Sequence, residues 1–317
     1  MSEARGLDQK AHQLNILCAG ECMLELRSQE EQFASGFAGD VVNFAIYLKR
    51  LLPRSRVQFM SAVGSDHISD KMRQYLAGEE IDTTLVFSSP EKTIGLYMID
   101  TDASGERSFS YWRSDSAAKN MLLLANQKEL KAVAAGIQYF YFSGITLAIL
   151  EHDNRERLLQ MAHEWRAEGK KIIFDPNYRA SLWPSLEHAR TQIHRAYEVS
   201  DMLLTSREDE QLLFGTANKE ACIERLHQCS IEEVVMTDGA ESATTLINGR
   251  SFSVTPAQAE RVVDTTAAGD SFKAAYLAAR HTGDTPVVAL AKASELSSIV
   301  VGYSGAIIPK NAMPQVS

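Results

Sequence analysis

The chain has 317 residues, 45% of them hydrophobic, and a formal net charge of −9. That length and apolar content suffice for one large α/β domain or two smaller ones, and they exclude a disordered or fibrous chain. The acidic balance argues against nucleic acid and anionic membranes as partners, because both require basic patches. An acidic small molecule would need locally placed cations.

The opening "MSEARGLDQKAHQLN" is polar and lacks the apolar core of a secretory signal. No apolar run approaches the roughly 18 residues that span a bilayer, so a soluble, cytoplasmic protein is expected. Cys18, Cys22, Cys222 and Cys229 match neither a zinc site nor a dense disulfide framework, which points to reduced thiols. Strand-like runs follow at "LNILCAG" and "RVQFMSAVG", each succeeded by a helical stretch. Residues 93–113, "TIGLYMIDTDASGERSFSYWR", differ: two extended runs joined by "TDASGE" read as a hairpin. Tyr111 and Arg113 share one face of it at period two, and Tyr97 can join them from the facing strand. These side chains either point toward a ligand beneath a cover or, with Trp112, pack the cover onto the body or a second subunit.

From about residue 135, apolar and β-branched runs alternate with helical patterns: "IQYFYFSG", "KKIIFD", "DMLLT" and "EEVVMTDG". That rhythm is the signature of βαβ units in a parallel sheet. Between the first two runs, Leu158, Leu159, Met161, Ala162 and Trp165 form an apolar stripe, with Gly169 as a stop. Arg179 follows "FDPNY", at a strand end where open α/β sheets place ligand contacts; the alternative is a surface ion pair.

The most informative stretch is "RVVDTTAAGDSFKAAYLAAR", residues 261–280. Phe272, Ala275, Tyr276 and Ala279 make a helical stripe, and Thr265 or Thr266 can cap it. The amides of Ala267, Ala268 and Gly269 would then lie at the positive end of a helix, a site suited to phosphate oxygens. Asp270 in the first turn either complements the dipole or serves as a base beside that anion site.

"DTTAAGDSF" closely resembles the Asp-Thr-x-Gly-Ala-Gly-Asp signature of the ribokinase (PfkB) family of sugar kinases. The resemblance runs over nearly the full chain, through "CAGECMLEL" as the first strand, "FAGDVVNFAIYLKRL" as the sugar-binding segment and "VGSDHISDKM" as the next strand-loop-helix. It implies one domain over residues 1–317: an α/β three-layer sandwich with a mostly parallel central sheet and a small β lid inserted at about 33–38 and 93–113. It further implies Asp270 as the base, with Ala267, Ala268 and Gly269 holding the transferring phosphate. Ala267 stands where the family usually has glycine; its amide serves equally if its φ stays negative. The first glycine of the sugar segment is likewise replaced, by Ala38. Gly39 would permit close approach of the sugar, and Asp40 and Asn43 would bond its hydroxyls.

"GLYMIDTDASGERSFSYWR", "FDPNYRASLW" and "FSGITLAIL" resemble the branch of that family acting on 2-keto-3-deoxygluconate more than the ribokinase or fructokinase branches. That substrate is a sugar acid, whose carboxylate Arg113 and Arg179 would neutralise, with Tyr97, Tyr111 and Trp112 around it. On the nucleotide side the resemblance implies ATP and Mg2+, with K+ as a candidate second ion. Asn177, Ser206, Thr237, Gly239, Ala240, Ala268 and Gly269 would contact the nucleotide, and Asp209 the magnesium through water. Thr237 replaces the family's lysine there, Ser242 its last glycine, and Ser206 its asparagine. A homodimer joined through the lid is also implied. A kinase for a neutral sugar or keto-deoxygalactonate, or a sugar or nucleotide sensor with weakened catalysis, are the alternatives. A nicotinamide oxidoreductase is disfavoured because no Gly-x-Gly-x-x-Gly opens the first helix.

Overall fold

A computed structural model describes residues 13–29, 32–101 and 107–314. Its strands are β1 (Asn15–Ala19), β2 (Met23–Gln29), β3 (Gln32–Ala38), β4 (Arg56–Val63), β5 (Val86–Ser88), β6 (Leu96–Thr101) and β7 (Arg107–Trp112) in the first part. The second part adds β8 (Tyr139–Ser143), β9 (Lys171–Asp175), β10 (Met202–Ser206), β11 (Glu233–Asp238), β12 (Ser242–Ile247) and β13 (Arg250–Val254). Nine form one sheet in the order β13-β12-β11-β10-β9-β8-β1-β4-β5. The run from β11 to β5 is parallel, and β12 and β13 close one end antiparallel.

The parallel strands are buried nearly end to end, as a sheet covered on both faces requires. Alternation sorts their side chains into two cores. Phe140, Phe142 and Phe174 enter one, while Tyr141 and Ile173 enter the other with the helices Asp40–Leu51, Ala268–His281 and Pro286–Val300. This is the expected three-layer sandwich.

A second sheet, ordered β3-β2-β6-β7, is the lid. It has one strand more than the sequence suggests, because "CAGECMLEL" is not a single core strand. β1 stops at Ala19, and Met23–Gln29 departs to the lid. The reason is visible in "MLELRSQ", which alternates apolar and polar residues as a half-covered sheet does, unlike the continuous runs of the core. The expected hairpin forms with Thr101 paired to Arg107; most of "TDASGE" lies outside the described residues. Met23, Ala38, Tyr97 and Ile99 line the inner face against Ala306.

Strand alternation also corrects one site residue. Tyr97 pairs with Tyr111, whereas Trp112 pairs with Leu96, so Trp112 turns to the opposite, outer face and cannot share a ligand with the two tyrosines. It is 57% exposed there, on the same face as Phe33 at 58%. All four cysteines are free thiols, three of them buried. Among the described residues, no helix is long and apolar enough to cross a membrane.

Candidate active site

The helix Ala268–His281 begins at the mouth of the sheet and carries Asp270 in its first turn. Asn43, buried in the helix Asp40–Leu51, donates Nδ2–H to Asp270 Oδ2 at 2.8 Å. Asn177 donates to Asp40 Oδ2 at 3.0 Å. Thus the segment expected to meet sugar hydroxyls is bonded to the expected base. Asn177, expected on the nucleotide side, is instead tied to Asp40, because the loop after β9 crosses to the start of that helix. Enclosure by its neighbours pushes the Asp270 carboxyl up to about 7; Lys273 and the Asn43 bond oppose the rise, while Asp40 and Asp175 add to it.

Gly39 is demanded by packing. A Cβ there would stand 2.3 Å from the Glu21 carbonyl oxygen, so glycine is required for packing against the root of the lid. By contrast, the space over Gly269 is open: the nearest atom to a Cβ there would be Lys273 Nζ at 3.9 Å.

Ala267 is the N-cap, with φ 59 and ψ 11, and makes no side-chain cap bond. The expected threonine cap is therefore corrected, and the negative φ set as the condition for the Ala267 amide to serve is not met. Instead Asp264 organises the turn: its Oδ1 accepts from Thr266 N at 2.8 Å and its Oδ2 from Gly305 N at 2.9 Å. The left-handed residue starts the helix, whose first-turn amides have no helical carbonyl to bond; Ala268 N donates back to the Thr265 carbonyl at 3.3 Å. A glycine would adopt this conformation freely; alanine does so at a cost of roughly 1–2 kcal/mol.

Ser206 caps the helix Arg207–Phe214, accepting from Asp209 N at 3.0 Å and donating to Asp209 Oδ2 at 2.8 Å. Asp209 Oδ1 accepts from Tyr178 N at 2.8 Å. Both Asp209 oxygens are already engaged, which leaves lone pairs for a magnesium-bound water but poor access for direct coordination. Among the described residues no cluster of three or more His, Cys, Asp or Glu could hold a metal by itself. This donor set fits a magnesium ion held mainly by phosphates and water. Thr237 ends the β10–β11 pairing beside Ser206, and the turn beyond it contains Gly239 at φ 53 and exposed Ala240.

At the lid, Tyr97 donates its hydroxyl to Glu25 and stacks on Tyr111 with ring centroids 5.9 Å apart. Tyr111 and Phe109 stack in turn, and both remain about half exposed. The two expected carboxylate-binding arginines differ sharply. Arg113 forms a buried ion pair with Glu21, whose carboxyl burial pushes up and Arg113 pulls down. Arg113 Nε is buried with no bonding partner. Arg179 is exposed, donates to the Tyr178 carbonyl at 2.9 Å, and has no ion-pair partner among the described residues.

Sequence reasoning missed Glu21, Asp175, Asp264 and Lys273. Lys273 donates to Asp175 Oδ2 at 2.6 Å, and both are buried. A signal existed for this pair: Asp175 ends a strand at the ligand edge of the sheet, and Lys273 lies three residues beyond Asp270 on one helix face.

Residues 13–313 match the model of the pfkB family of carbohydrate kinases. The chain is 40% identical over 304 residues to the 2-dehydro-3-deoxygluconokinase of Escherichia coli K12, covering 94% of this chain and 98% of that one. It is 39% identical to the enzyme of the same name from Dickeya dadantii, covering 95% and 98%. The fold is similar to a fructokinase from Xylella fastidiosa with bound ATP, with TM-score 0.80, 24% identity and 95% of each chain covered. It is also similar to a 2-dehydro-3-deoxygluconokinase from Thermotoga maritima, with TM-score 0.79, 21% identity and 94% and 95% covered.

Proposed function

The chain belongs to the pfkB family of carbohydrate kinases, and from that premise we propose that it phosphorylates 2-dehydro-3-deoxy-D-gluconate. The γ-phosphoryl group of ATP passes to the 6-hydroxyl, giving 2-dehydro-3-deoxy-6-phosphogluconate and ADP. The observation that carries this reading is the Asn43–Asp270 bond in the first turn of a helix that starts at a left-handed residue. A base that ionises near neutrality, next to an anion cradle, meets the needs of phosphoryl transfer to an alcohol.

Asp270 accepts the hydroxyl proton as the new O–P bond forms. The amides of Ala267, Ala268 and Gly269 hold the oxygens of the transferring group. Asn43 keeps Asp270 oriented, and Asp40 and Asn177 line the sugar side. Arg179 receives the substrate carboxylate, with Arg113, Tyr97 and Tyr111 shaping the pocket under the lid. Thr237, Gly239, Ala240 and Ser206 border the nucleotide, and Asp209 would help to hold the magnesium ion. That ion, when bound, neutralises phosphate charge. The whole chain acts as one domain, with the lid excluding water from the cleft.

The outer lid face, with Phe33 and Trp112 uncovered, supports a homodimer joined there, and a cytoplasmic location fits the metabolic role. Potassium dependence is tested by exchanging K+ for Na+ in the assay. The deciding experiment is ADP release with ATP and magnesium on 2-dehydro-3-deoxygluconate, keto-deoxygalactonate and fructose. The sugar acid should give the highest kcat/KM. A preference for fructose overturns the substrate assignment, and no ADP release with any of them favours a sensor.

A further inference from the structure

The cleft edge of the sheet gathers carboxylates. Asp40, Asp175 and Asp270 act on one another through their charge, and Asp209 acts on Asp175. Lys273 is the cation set among them. Helical side chains lean toward the helix N-terminus, so Lys273 folds back over its own first turn. Its Nζ bonds Asp175 Oδ2 at 2.6 Å and hangs over Gly269, 3.9 Å from where a Cβ would stand.

An ammonium in that place is costly on general grounds. It loses hydration, and it meets the positive end of the helix with the wrong sign. Asp175 and Asp270 together outweigh this and hold the Lys273 ammonium above its ordinary range, yet Asp175 Oδ1 remains buried without a bonding partner, so the pair is not closed on itself as a structural bridge would be. The position makes sense through its neighbour one turn away, Asp270.

We infer that Lys273 is a positioning residue for the phosphoryl transfer: tethered by Asp175, its ammonium keeps Asp270 in the carboxylate form and the first-turn cradle receptive to anions. This rests on the kinase reading above. The groups facing Asp270 are Asn43, Asp40 and the deeper Tyr47 from the helix Asp40–Leu51, Tyr141 from β8, Asp175 from β9, and Lys273 from its own helix. Removing Lys273 leaves two carboxylates opposed only by an amide. Removing the Asp175 charge does the reverse, freeing Lys273 for Asp270 and deleting one repulsion.

The test is a carboxyl carbon-13 NMR titration of Asp270, assigned by its absence in Asp270→Asn, for wild type, Lys273→Met, Lys273→Arg and Asp175→Asn. The Lys273→Met midpoint should rise by about one pH unit, with about a fivefold loss of kcat/KM at neutral pH that is regained in alkali. Lys273→Arg should stay near wild type, and Asp175→Asn should move the midpoint down. An unmoved midpoint in folded Lys273→Met, or shifts of the same sign in Lys273→Met and Asp175→Asn, overturns the inference. Should Lys273→Met fail to fold, Lys273→Gln carries the same expectation. The titration needs no substrate, so failure of the kinase assay leaves its outcome readable.

Discussion

The two ends of the cleft are built on different terms. At the phosphoryl end Asp270, Asn43, Lys273 and Asp175 are joined by short bonds between secondary-structure elements far apart in sequence. At the lid end Tyr111, Phe109 and Arg179 stand exposed, while Arg113 and Tyr97 are locked, each onto a buried glutamate. Chemistry that must be repeated identically is held by the rigid body, while recognition of the substrate is left to side chains that a ligand can still reorganise. The contrast can be broken experimentally at either end.

The largest effect belongs to the phosphoryl end. Asp270→Asn should lower kcat by roughly 10²–10⁴-fold, the usual worth of a positioned general base, while its amide oxygen can still accept from Asn43. The same variant should be more stable in alkali. Asp270 ionises at about 7 in the fold and near 3.8 otherwise, so its ionisation opposes folding. Wild type loses that stability as pH rises from about 4 to about 7, whereas the variant does not. The gap should reach on the order of 1–4 kcal/mol by urea denaturation at about pH 8. A catalytic loss without any gain in stability at that pH would mean that the carboxylate is not under strain.

At the lid end the two arginines should separate stability from recognition. Arg113→Ala strands Glu21 in a buried site, and removing one partner of such a pair costs about 3–5 kcal/mol. Arg179→Ala should leave the melting midpoint almost unchanged and raise KM for the sugar acid by about 10–100-fold, the worth of one charge-assisted contact. Its effect on fructose should be small. Equal penalties on acid and neutral sugars would remove Arg179 from carboxylate recognition, and an Arg113→Ala variant as stable as wild type would show that Glu21 finds another partner.

How far the sequence could be read follows from the same division. The parallel strands were legible because burial on both faces demands unbroken apolar runs, and Asp270 and its cradle because they sit in one local motif. β2 was misread because it continues β1 without a break in sequence while its alternation belongs to a different sheet. Lys273 and Asp175 are 98 residues apart, and Glu21 and Arg113 are 92 apart. Single charges at a strand end or within a helix carry no local pattern that announces such pairing. Trp112 shows the opposite error, where nearness in sequence to Tyr111 outweighed the period-two rule that separates them.

Ala267 offers the finest test, because its identity hides its conformation. At φ 59 it occupies a region that glycine enters without penalty and alanine does not. Ala267→Gly relieves that strain, but it also loosens the unfolded chain by about 0.4–1 kcal/mol. The net change should be a gain of up to about 1 kcal/mol, with kcat unchanged, since the amide remains. Ala268→Gly, one residue on and inside the helix, lacks any strain to relieve and should lose about 0.5–1 kcal/mol. Opposite signs in the two denaturation midpoints would establish that the left-handed turn, rather than general packing of small residues, sets the cradle. Equal losses would place Ala267 in an ordinary helical start, and the amides would then have to be aimed by something other than that turn.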